Sequence, residues 1–138
     1  MLVKQISVFL PNKPGQALLP AKALGDAGID LCAISLADSS DFGILRIITR
    51  DYERAIDILK SQGFITNLTD LIGVVAENVS GGLSSLLSVF EKENINIEYF
   101  YSYLPRKNSE AIMFFRVESP EGAVEKLLRN GVRLAREF

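Results

Sequence analysis

The chain of 138 residues contains no histidine. Imidazole is the commonest general base, proton shuttle and transition-metal ligand, so acid–base and metal chemistry lose their usual carrier. Cysteine is nearly absent. Cys32 stands alone, which excludes an intrachain disulfide and a thiolate metal cluster. It sits in the apolar run from Ile29 to Leu36, where a buried structural thiol is expected rather than a nucleophile. An excess of basic charge is also missing. Lys and Arg number 15 against 17 Asp and Glu, a net charge of −2, so no field is available to hold a polyanion and nucleic acid is not an expected partner. The adjacent Arg106-Lys107 reads as a solvated loop tip. No apolar run reaches the roughly 18 residues needed to span a membrane, and no signal-peptide pattern is seen. A cytoplasmic protein without a membrane partner or cofactor is expected.

What the chain has is a repeat. Ile6-Ser7-Val8-Phe9-Leu10 is followed by Asn12-Lys13-Pro14-Gly15 and an apolar-striped stretch ending at Gly28-Ile29-Asp30. At an offset of 66 residues, Ile6 against Ile72, comes Ile72-Gly73-Val74-Val75-Ala76, then Asn78-Val79-Ser80-Gly81, and later Asn94-Ile95-Asn96. Further on, Ala55-Ile56, Leu59 and Gly63 match Ala123-Val124, Leu127 and Gly131 at an offset of 68. The two extra residues are placed near Arg106-Lys107-Asn108, where a hairpin loop absorbs them. Two copies of one small fold are implied, with boundaries at 1–69 and 70–138. Neither copy is large enough for more than a thin core. No Gly/Ser or Pro spacer separates them, so rigid docking over a shared core or sheet is expected.

The hydrophobic periods predict the same elements twice. In the first copy they give a strand over 3–10, a helix over 16–27 and strands over 29–37 and 42–49. A helix after Asp51, capped by that residue, and a strand over 64–69 complete it. Pro20, one turn into the first helix, is expected to distort it. In the second copy they give a strand over 71–77, a helix over 82–93, a hairpin of 95–104 with 111–118, and a helix opened by Ser119-Pro120. A strand over 132–138 closes it. Each unit is strand–helix–strand–strand–helix–strand, the ferredoxin-like βαββαβ arrangement. The class is α+β, with helices on one side of a shared antiparallel sheet. The hairpins are apolar on both faces, and the helix-free face around Ile44, Ile48, Ile112 and Phe114 is expected to be buried by the other copy or by self-association.

The loop between first strand and first helix carries the chemistry in each copy. A helix start offers N–H groups and partial positive charge to a carboxylate. Gly15 and Gly81 let a ligand approach the backbone. Asn12 and Asn78 supply a donor and an acceptor each, and Asp30 and Asn96 can address an ammonium group. As plain turn residues, the same Asn and Gly would serve geometry alone. The apolar first strand, Asn12-Lys13-Pro14-Gly15, the helix and Gly28-Ile29-Asp30, doubled by Asn78-Val79-Ser80-Gly81 and Asn94-Ile95-Asn96, resemble the ACT domain, a small regulatory unit of amino-acid metabolism. The resemblance covers essentially the whole chain.

That resemblance implies an amino-acid ligand at an interface between two domains, with the loop Asn from one and a polar residue at the start of the second strand from its neighbour. It implies Asn12, Pro14, Gly15, Gln16 and Asn96 for one site, and Asn78, Gly81, Gly82 and Asp30 for the other. Leu10 and Ala76 stand where the serine-sensing members carry histidine, Val79-Ser80 replaces Lys13-Pro14, and Asp30 is charged. The two sites are therefore not equivalent. The reading is a non-catalytic sensor that regulates a separate enzyme, and the two-sided apolar hairpins add the expectation of a homodimer. A structural oligomerisation module without ligand is the alternative. A small enzyme on this scaffold ranks below both, because the 11–16 loop offers only Lys13 to a phosphate. The tyrosines at 99, 101 and 103 share one strand face, where packing at a sheet interface is expected first, the lining of a ligand pocket by one of them second, and base stacking last.

Overall fold

The protein is described by a computed structural model that covers residues 2–38, 41–77, 79–103 and 110–135. The elements are β1 (Leu2–Pro11), α1 (Leu18–Asp26), β2 (Ala33–Asp38), β3 (Phe42–Ile48), α2 (Tyr52–Ser61), β4 (Ile65–Glu77), α3 (Gly82–Lys92), β5 (Ile97–Tyr103), β6 (Glu110–Val117) and α4 (Pro120–Arg129). The class is α+β, and the recorded strand pairs are antiparallel. Two compact units are formed, Lys4–Thr69 and Asp70–Phe138 together with Met1–Val3. The 64–69 and 71–77 strands of the sequence reading are one continuous strand, β4.

In the first unit the strand order is β2-β3-β1-β4. Val8 stands opposite Leu45 and Ile6 opposite Ile47. With Leu10, Leu24, Ala55 and Leu59 these residues form the core, so α1 and α2 cover the same sheet face. In the second unit the order is β4-β6-β5. Ile72, Val74, Met113 and Phe115 meet Leu86 and Phe90 of α3 and Val124 and Leu127 of α4. Phe115 lies between two rings, 4.5 Å from Phe90 and 5.3 Å from Phe100. The closing strand is a short ladder. Val75 N–H donates to the Arg133 carbonyl and Ala135 N–H to the Gly73 carbonyl, each at 2.8 Å.

All four helices stop in the same way. The N–H groups of Ile29, Phe64, Ile95 and Val132 return to the carbonyls of Leu24, Leu59, Phe90 and Leu127 at 2.8–3.1 Å. The residue before each of those donors has a positive φ: Gly28 (73°), Gly63 (86°), Asn94 (54°) and Gly131 (74°). A left-handed residue turns the chain, and the backbone bond across it satisfies a helix-end carbonyl. The accepting residues are core anchors, so each helix end is tied to the core that it helps to build.

Several expectations are corrected. Pro20 does not distort α1. The helix begins at Leu18, so Pro20 falls in the first turn, where its missing N–H would lack a helical partner in any case. Asp51 makes no side-chain cap bond; its carboxylate lies 3.6 Å from the Arg54 guanidinium instead. Cys32 is half-buried, because β2 starts only at Ala33. Of the face expected to be buried by the other copy or by self-association, Ile48 and Phe114 have no exposed surface and Ile112 is buried within the single chain, while Ile44 is half-buried, so self-association is not needed to cover it. Phe114 is flanked by Tyr101 at 5.8 Å. The hairpin tip at Arg106-Lys107-Asn108, the strand end at Leu104 and the chain end 136–138 lie outside the described residues.

Candidate functional site

The first-copy loop follows β1 directly. Asn12, Pro14 and Gly15 are exposed and Gln16 is half-buried. Lys13 N–H donates to the Pro11 carbonyl at 2.9 Å, and Gln16 N–H to the Lys13 carbonyl at 3.4 Å. Gly15 takes φ 82°, a left-handed conformation that glycine adopts without the steric cost of a β-carbon. Asp30 follows the end of α1. Its side chain is exposed, while its carbonyl accepts a 2.7 Å bond from the Thr49 hydroxyl. Asn96 is exposed between α3 and β5 and borders two grooves, one toward Phe100 and one toward Lys126.

The second-copy loop is built more tightly. Asn78 lies outside the described residues. Gly81 has φ 83°. Gly82 N–H donates to the Val79 carbonyl at 3.0 Å, so a ligand carboxylate would have to share it. A β-carbon on Gly82 would run into the Glu77 carbonyl oxygen. The Gly81 carbonyl accepts from Ser85 N–H at 3.0 Å and from the Ser84 hydroxyl at 3.2 Å, which starts α3. This loop forms one wall of a cleft of 580 Å³. The floor and far wall are Val75, Glu77, Glu110, Val132 and Arg133. Small-molecule sites span about 300–1,000 Å³, so the volume suits a metabolite.

Three residues of this cleft escaped the sequence reading. Glu77 and Glu110 are register partners across β4 and β6, and the Arg133 guanidinium pairs with Glu110. The signal was the topology: a βαββαβ unit sets its last strand beside its first, which brings Arg133 next to Val75. The first copy lacks this chemistry. At the repeat's offsets of 66 and 68, Glu77, Glu110 and Arg133 correspond to Pro11, Phe42 and Ile65. Pro11 and Phe42 are likewise register partners. Among the described residues no group of His, Cys, Asp and Glu could hold a metal ion.

Residues 1–137 match the sequence pattern of the ACT domain pair. The chain belongs to the ACT domain family. Its pair of ACT units is similar to a protein of Bacteroides thetaiotaomicron of solved structure. The two are 36% identical over 98% of this chain and 92% of that one, with a TM-score of 0.90. The regulatory subunit of aspartate kinase from Thermus flavus shares the fold at 19% identity. That match covers 94% of this chain and 90% of that one, with a TM-score of 0.64. The corresponding subunit from Thermus thermophilus, in its ligand-free form, matches at 17% identity and the same TM-score over 92% and 91% of the two chains. A search of curated proteins finds no match. No helix among the described residues is long and apolar enough to cross a membrane.

Proposed function

We propose that this ACT pair is a non-catalytic sensor that binds an amino acid and passes its occupancy to a separate enzyme of amino-acid metabolism in the cytoplasm. The observation that carries the reading is the second-copy cleft, where a glycine loop, two carboxylates and a guanidinium meet over 580 Å³. That combination suits a zwitterion, since the guanidinium draws a carboxylate and the carboxylates draw an ammonium. The regulatory subunits of aspartate kinase, which share the fold, are regulatory by their own description. Asn12 with Asn96, and Asn78 with Asp30, are proposed as polar partners for ligand at domain interfaces. Asp30 repels a carboxylate and attracts an ammonium, so its site is the stricter for a protonated amine.

We also propose that the chain assembles as a homodimer. Ile34 and Leu36 support this: they lie on the edge strand β2 and are 60% and 61% exposed. Apolar edge strands are pairing sites unless they are covered. The function is tested by a thermal-shift screen of the twenty amino acids. A ligand that binds only the folded chain raises the unfolding midpoint by mass action. At least one amino acid is expected to do so. If none does, the ACT pair is an assembly module and the sensor reading fails.

A further inference from the structure

The second-unit cleft is specific about what it can hold. Its charged lining is Glu77, Glu110 and Arg133, a balance of one net negative charge. Carboxylates placed directly opposite on neighbouring strands repel unless a cation intervenes. Arg133 intervenes for Glu110; for Glu77 no side-chain partner is recorded among the described residues. A protonated amine beside Glu77 completes the neutralisation. A guanidinium has five N–H donors, so Arg133 can keep Glu110 and still receive a carboxylate. The larger side chains of the remaining wall are aliphatic, Val75, Val79, Leu86, Val89 and Val132, and its polar side chains are the uncharged Ser80 and Ser85. A charged ligand side chain would lose solvation there without meeting an opposite charge beyond the three already named.

In the first unit the corresponding positions are Pro11, Phe42 and Ile65, none of which carries charge. Phe42 and Ile65 are 55% and 71% exposed. The repeat has therefore kept the fold in both copies and placed the charged set in one.

We infer that the cleft between the 79–82 loop and the closing strand of the second ACT unit binds a branched aliphatic α-amino acid, one per chain, with Arg133 on its carboxylate and Glu77 on its ammonium. This rests on the amino-acid-binding reading above and adds the ligand class, the unit and the residues. Neither Arg133 nor Glu77 belongs to the loop motif from which the family resemblance was drawn.

The test is calorimetric titration of the full chain with L-leucine and with L-leucinamide, which lacks the carboxylate. Arg133→Ala, Glu77→Gln and Ile65→Ala are compared with the wild type, and circular dichroism checks that each folds. Arg133→Ala and Glu77→Gln are each expected to weaken L-leucine by about ten-fold or more, the loss of a charge-assisted bond. Ile65→Ala is expected to leave it unchanged. L-leucinamide is expected to bind the wild type weakly and to lose nothing further in Arg133→Ala. Wild-type affinity for L-leucine in both charge variants overturns the inference. A wild type that binds aspartate or lysine but not leucine, valine or isoleucine overturns it and leaves the amino-acid reading standing. A wild type that binds none of the twenty overturns both.

Discussion

Glu77 and Glu110 face each other across β4 and β6 at the place where Pro11 and Phe42 face each other across β1 and β3. One register position thus holds two carboxylates in one ACT unit and two apolar side chains in the other. The backbone repeat is retained while the chemistry diverges, which is how a duplicated domain acquires a division of labour.

The loop that borders the cleft should be intolerant at one glycine and tolerant at its neighbour. Gly82→Ala puts a β-carbon against the Glu77 carbonyl and should cost about 2–3 kcal/mol, as overpacking does. Gly81→Ala meets nothing within 4 Å and should cost only the left-handed backbone strain, about 1–2 kcal/mol. Urea denaturation of the two variants gives the order, and equal losses would show that the loop rearranges.

Among the described residues, Asn94 is the one helix end not made by glycine, and it holds φ 54°. Asn94→Gly should raise stability by about 0.5–1 kcal/mol, because glycine adopts this conformation without steric cost. A fall in the unfolding midpoint would instead assign the Asn94 side chain a role in the neighbouring groove.

Phe115 has no exposed surface and lies between Phe90 and Phe100. Phe115→Ala should cost about 3–5 kcal/mol, read as a lower denaturant midpoint. Phe100 is 40% exposed, so Phe100→Ala should cost well under half as much.

Charge at Phe114 and charge at Leu36 should have different consequences. Phe114 is fully buried within the single chain, so Phe114→Asp should abolish cooperative unfolding, since an unpaired buried charge costs several kcal/mol, roughly. Leu36 is 61% exposed on the β2 edge, so Leu36→Lys should leave the fold intact and shift the mass toward monomer. Light scattering and circular dichroism together separate the two. A wild type that is already monomeric at micromolar concentration would refute the dimer.

The sequence made the architecture legible because duplication doubled every weak signal. Gly28, Gly63 and Gly131 marked helix ends, and the alignment of Asn94 with Gly28 placed the fourth. The boundaries that failed were those decided by tertiary context. Pro20 became harmless because the helix starts at Leu18 rather than at 16, which leaves it in the first turn. The cover over Ile48 and Phe114 stays open in the sequence, between the other copy and a partner chain, because periodicity reports two-sided hydrophobicity without saying what covers it. The cleft was only half legible. Gly81 and Gly82 sit in a motif that can be read along the chain, whereas Glu77, Glu110 and Arg133 are scattered over three elements and meet only through strand order and register.

Equilibrium dialysis of the full chain against radiolabelled L-leucine tests most directly the claim that one ACT unit of the pair is the receptor. The account predicts that the second-unit cleft takes up one leucine per chain and that this uptake is lost in Arg133→Ala. Equal retention by the wild type and Arg133→Ala, or no retention at any concentration up to millimolar, would contradict it.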